Sequence, residues 1–141
     1  LSSFVRAAAE FRGRLREILQ QLRRHAPVVL VGTIYDPTDD TGVFMDQPYA
    51  AGFGMLLSPK ATTEMLAMWN AMIMTAAIAE TDAYVDVSCH FLGHGDHHAD
   101  PTKPHYCAAD PTGWLFQTIE PNGRGASELR RLFLETLITP R

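Results

Sequence analysis

Apolar residues at Phe4, Ala8, Phe11, Leu15, Ile18, Leu19 and Leu22 step by three and four, which puts them on one face of a helix. Pro27 ends that period, and Val28–Ile34 (VVLVGTI) follows as a continuous β-branched run of the kind buried on both faces of a parallel sheet. From Tyr35 to Pro59 no period holds, and Asp, Gly, Pro and Thr dominate, which predicts a long loop. Helical spacing resumes over Lys60–Thr81 through Met65, Trp69, Met72, Ile73 and Ala76, and Tyr84–Val87 reads as a second short strand. A second long loop covers residues 89 to 113. Asn122 then reads as the N-cap of a last helix with Ala126, Leu129, Leu132, Phe133 and Leu137 facing inward.

The order helix, strand, loop, helix, strand, loop, helix predicts an α/β fold built on a doubly wound parallel sheet. Two strands, each apolar on both faces, make a very small sheet. Residues 1–141 are therefore expected to be the C-terminal portion of a single domain, with further strands upstream.

Composition narrows the function classes. The net charge is −4, but residues 1 to 26 hold six Arg against two Glu, so the basic charge sits on the first helix. That helix has an apolar stripe and no interleaved stacking aromatics, so its arginines read as a solvated face and no nucleic-acid partner is expected. The most apolar run, Met65–Ala79, is interrupted by Asn70 and Thr75 and is shorter than the roughly 20 residues a membrane span needs. The opening stretch is amphipathic and Arg-rich, unlike a signal-peptide core. Cys89 and Cys107 could pair in an exported protein or stay as thiols in a reducing compartment.

In an open parallel sheet ligands bind at the carboxyl ends of the strands, so the loops starting at Tyr35 and Ser88 should line one crevice. The first offers Tyr35, Asp36, Asp39 and Asp40. The second, HFLGHGDHHADPTKPH, carries His90, His94, His97, His98 and His105 with Asp96 and Asp100. Turn chemistry accounts for the aspartates of the first loop, whereas the histidine density of the second points to a use for imidazole.

Three strings carry a resemblance: VVLVGTIYDPTDDTG at 28 to 42, AYVDVSCHFLGHG at 83 to 95 and IEPNGRGASELRRLF at 119 to 133. Together they resemble the later part of an SGNH (GDSL-type) hydrolase, whose last loop carries Asp-x-x-His-Pro-Asn before a Gly-containing final helix. Pro121, Asn122 and Gly125 match that pattern in kind and spacing. The resemblance implies a flavodoxin-like three-layer α/β/α fold and an esterase or lipase-like acyl hydrolase working through Ser, His and Asp. It also implies a nucleophilic serine and oxyanion donors upstream of Leu1, so residues 1–141 alone should not catalyse acyl transfer.

Gln117 and Glu120 stand where the family has its Asp and His. The base is then expected in the neighbouring loop, at His94, His97 or His98, with Glu120 orienting the imidazole. Tyr35 and Asp36 are the expected substrate-binding residues. The partner expected is a small-molecule or lipid ester, and no cofactor is expected. A rival reading from another class is a zinc site built on His94, His98 and a carboxylate, since three protein ligands and a water make a catalytic centre. A non-catalytic relative, with Glu120 a surface carboxylate near a helix N-terminus, is the other alternative.

Overall fold

The computed structural model describes residues 2–48, 51, 57–117 and 119–139, with the side chains of 2–5 left aside. The chain is mixed α/β, with four helices and short strands that include one parallel pair. Helix α1 spans Ser2–His25 and ends in Arg23, Arg24 and His25, basic residues that suit a helix C-terminus. Strand β1 is Leu30–Gly32, shorter than the expected Val28–Ile34. Helix α2, Pro59–Glu80, starts where Ser58 Oγ accepts from Ala61 N and Pro59 fills the first turn, a position where its missing N–H costs nothing. Strand β4, Ala83–Val85, returns parallel to β1 with Leu30 opposite Ala83 and Gly32 opposite Val85.

Two hairpins and a short helix were not expected, the first hairpin inside the loop Tyr35–Pro59, the helix across the start of the second loop and the second hairpin between that loop and the last helix. Strands β2 (Val43–Phe44) and β3 (Gln47–Pro48) form an antiparallel hairpin, as do β5 (Leu115–Phe116) and β6 (Glu120–Pro121). Helix α3, Val87–Phe91, follows β4 at once and is capped by the Asp86 carboxylate, which accepts from Cys89 N. The last helix, α4, runs Gly123–Ile138 from the expected Asn122 cap.

Alternate residues of β1 go to different cores, as strand geometry requires. Val31, with Val29 just before the strand, belongs with Leu15, Leu19 and Ala76 of α1 and α2. Leu30 belongs with Val85, Val87, Phe91, Trp114 and with Leu129, Leu132 and Phe133 of α4. Gly32 shares this second side: a Cβ there would sit 3.1 Å from the Phe133 ring and 3.2 Å from Val87. Of the expected inward face of α4, Ala126 and Leu137 are exposed, while Gly125 and Glu128 are buried instead. No described helix is long and apolar enough to cross a membrane.

Both ends of β1 are finished by side chains. At its amino end the Asp82 carboxylate accepts from Val29 N at 2.9 Å and pairs with Arg23, while Arg16 and Gln20 hold Glu80. These contacts keep the Asp82 and Glu80 carboxyls below their ordinary range, the Val29 amide being the main cause for the first and Arg16 for the second. At its carboxyl end the buried Asn70 carboxamide takes Ile34 N at 2.7 Å and gives to Ile34 O at 2.8 Å, as a neighbouring strand would.

Candidate functional site

The loops that leave the carboxyl ends of β1 and β4 meet through one carboxylate. Asp39 is 1% exposed. Its Oδ1 accepts from Gly93 N and Gly95 N, each at 2.9 Å, and its Oδ2 accepts from His97 N at 3.0 Å. A buried charge is tolerated only when it is fully hydrogen-bonded, and three amide donors meet that need. Pro37 O accepts from Asp96 N at 2.8 Å, and Asp96 Oδ2 accepts from Met45 N at 2.9 Å, which joins the β2–β3 hairpin to the same junction.

Glycines let these backbones approach. Gly93 has φ +87°, and a Cβ there would fall 2.1 Å from His105 O. A Cβ on Gly95 would fall 2.5 Å from Pro37 O and 2.9 Å from Asp39 Oδ1. Farther along, Asn122 caps α4 by accepting from Arg124 N and Gly125 N, donates to Gly113 O, and bonds Trp114 O through its own N–H. A Cβ on Gly125 would meet Trp114 O at 2.2 Å. The Asn122 and Gly125 of the quoted Pro-Asn motif therefore fix the end of the histidine loop against α4.

The three candidate imidazoles occupy different settings. His94 is 6% exposed, lies flat on Trp114 with ring centroids 3.5 Å apart, and has Nδ1 3.0 Å from Thr112 O. His97 has Nε2 3.1 Å from Val43 O. His98 has Nδ1 2.8 Å from Gly95 O. A carbonyl can only accept, so each of these ring nitrogens carries the proton. The neutral form of His98 then has Nε2 as its lone-pair nitrogen, and the same holds for His94, whereas His97 is the opposite tautomer.

His98 is the only one of the three in the lining of a described cavity. This cleft, about 100 Å³, lies between the two hairpins and is bounded by Phe44, Gly95 and Asp96 on one side and by Gly113, Leu115 and Gln117 on the other. Gln117 holds a left-handed φ of +56° at the turn of the β5–β6 hairpin.

The expected Glu120–imidazole pair is not formed. Among the described residues Glu120 makes no hydrogen bond or ion pair with a histidine, and its Oε2 takes only its neighbour Ile119 N at 3.4 Å. The reason is hairpin geometry: Glu120 lies opposite Phe116, and Leu115 lies opposite Pro121, so Glu120 and Leu115 point to opposite faces. Leu115 lines the cleft, and Glu120 instead lies near Tyr35.

Tyr35 and Asp36 are also committed internally. The Tyr35 ring stacks on Phe91 at 4.6 Å, and its hydroxyl donates to Ile119 O. Burial first, and the Glu120 charge second, push its phenol above the ordinary value. Asp36 is buried, with Oδ1 taking Thr38 N and Oγ1 and Oδ2 taking Asp40 N, so it shapes its own turn and offers no oxygen to a substrate.

A carboxylate–imidazole hydrogen bond does form where the sequence reading did not single one out, between His90 and Glu128, and His105 Nε2 also lies 3.6 Å from Asp40 Oδ2. His90 Nε2 lies 3.1 Å from Glu128 Oε2 and 3.2 Å from Arg131 Nη2. Arg131, ahead of His90, holds the buried Glu128 below its ordinary range. For the zinc reading, the described residues contain no group of three His, Cys, Asp or Glu arranged to hold a metal. Cys89 and Cys107 are free thiols, the first exposed.

No family model matches this chain, and no curated protein and no solved structure is significantly similar to it.

Proposed function

We propose that residues 1–141 form the C-terminal portion of an SGNH-type acyl hydrolase of flavodoxin-like three-layer architecture, acting on a small-molecule or lipid ester. His98 is its general base, and the nucleophilic serine comes from upstream of Leu1. The observation that carries this reading is the setting of His98, with Nδ1–H fixed on the Gly95 carbonyl and the ring in the wall of a cleft at the carboxyl edge of the parallel pair. A general base needs a fixed tautomer with its lone pair available to the reacting proton. The two cores that take alternate residues of β1 support the layered architecture.

In this scheme a serine oxygen bonds to the ester carbonyl carbon as its proton passes to His98 Nε2. The imidazolium then returns the proton to the departing alcohol oxygen as the ester C–O bond breaks. A water repeats the sequence to release the acid. The Gly95 carbonyl does the orienting work that a carboxylate does in the common triad, so Glu120 has no part in it.

The test uses the intact protein with p-nitrophenyl acetate. His98→Gln should lower kcat by about 10² to 10⁴, the usual worth of general-base catalysis, while Glu120→Gln and His97→Gln leave it within a few-fold. A fluorophosphonate should label a serine outside residues 1–141. Unchanged activity in His98→Gln, or labelling at Ser58 or Ser88, would overturn the proposal.

A further inference from the structure

We infer that the free edge of β1 is the docking surface for one further strand of the same chain, the strand that leads into α1, and that it pairs parallel to β1. This rests on the part of the reading above that places chain upstream of Leu1, and it does not depend on the hydrolase chemistry. The edge is defined by hydrogen bonding. Thr33 N donates to Val85 O, so by the alternation of a strand the odd-numbered residues of β1 turn their backbone groups to β4. Leu30, Gly32 and Ile34 therefore turn N–H and C=O the other way. Asn70 takes both groups of Ile34, and among the described residues nothing bonds those of Leu30 and Gly32 from that side. β1 is covered on one face by the α1–α2 core and on the other by the α4 core. A strand covered on both faces is an interior strand, whose backbone groups need partners along both edges.

The position of α1 decides which segment fills the edge. Helices α1 and α2 share the Val31 face of the sheet. Crossovers between parallel strands are right-handed in about 98% of cases. Two crossovers of one hand, with their helices on one face, step sideways in the same direction, so the strand before α1 lies on the side of β1 away from β4. The surface of α1 agrees. Arg16 and Gln20 reach Glu80 of α2 from one flank of the helix, whereas Ile18 and Leu22, on the opposite flank of its apolar stripe, are 55% and 46% exposed. A strand beside β1 covers that second flank with its own apolar side chains. Because Asn70 already closes Ile34, the pairing ends at Gly32.

Amide exchange and nuclear Overhauser spectra of the intact protein test this. Val31 and Thr33, whose amides face β4, are the internal reference. The expected result is that the Leu30 and Gly32 amides exchange within about tenfold of those two, and that Gly32 shows cross-strand contacts, in parallel register, to a residue upstream of Leu1. Leu30 and Gly32 exchanging as open amides, while Val31 and Thr33 stay protected, overturns the inference. Contacts from Gly32 to an antiparallel strand overturn it as well, as do contacts to a second copy of the chain in a sample that mixes labelled and unlabelled protein. The hydrolase reading fails or stands separately, on ester hydrolysis by His98→Gln.

Discussion

The two ends of the parallel pair are held in opposite ways. At the amino ends, Arg16, Gln20 and Arg23 reach from α1 to Glu80 and Asp82 with surface side chains. At the carboxyl ends, backbone amides of the second loop converge on the buried Asp39, and the Asn70 carboxamide closes on Ile34. Surface pairs cost little to form and little to lose, because water and salt replace them. A buried carboxylate has no such substitute, so every donor it loses is paid in full. The difference teaches where the chain has accepted the cost of rigidity, and that is the edge that presents His98.

Asp39→Ala should break the comparison most severely. It removes three charge-assisted bonds and leaves three inward-facing amides without a partner, at a cost of about 3 kcal/mol or more. Denaturant unfolding measures it, and a loss under about 1 kcal/mol would mean that Asp39 does not lock the loops. Asn70→Ala comes next. It strands the N–H and C=O of Ile34, for about 2 kcal/mol, and the Ile34 amide should lose hydrogen-exchange protection while those of α1 keep theirs.

Acid should act through the carboxylates held below their ordinary range. Asp82, Glu80 and Glu128 have depressed folded-state pKa values, from the Val29 amide, Arg16 and Arg131 respectively. A depressed carboxylate contributes stability that is present above its unfolded pKa and is lost as pH falls through the folded one. The thermal midpoint should therefore hold from neutrality down to about pH 5 and fall steadily below about pH 4, near the ordinary carboxylate values. A midpoint that rises on acidification would contradict these assignments. The smallest effect belongs to Arg16→Ala, which opens an exposed pair with Glu80 and should barely move the thermal midpoint, less still in high salt.

How much of this was legible in the sequence follows from the physics of each element. Long periodic segments read well, and α1, α2, α4 and the β1–β4 pair stand where Phe4–Leu22, Met65–Ala76, Leu129–Phe133 and the VVLV run put them. The two hairpins did not, because strands of two residues carry no period, and the five-residue α3 falls across the boundary between the expected strand Tyr84–Val87 and the expected loop, too short to show a helical period. That the two long loops adjoin was a consequence of parallel topology and could be expected. The role of Asp39 could not, since its partners are backbone amides of Gly93, Gly95 and His97 that leave no side-chain signature. Glu120 misled for a related reason. Its closeness in sequence to the last helix was visible, but the face it takes depends on pairing with Phe116.

The central claim is that the locked loops hold the His98 ring with Nδ1–H on the Gly95 carbonyl, its Nε2 making no hydrogen bond among the described residues. Long-range proton–nitrogen correlation spectra of the histidine side chains at pH 8 read that tautomer directly. The account predicts a His98 signal with Nδ1 protonated, shifted toward the average of the two tautomers in Asp39→Asn as the Gly95 turn loosens. A His98 ring protonated at Nε2 in the unmodified chain, or one already averaging between tautomers as a solvated imidazole does, would contradict it.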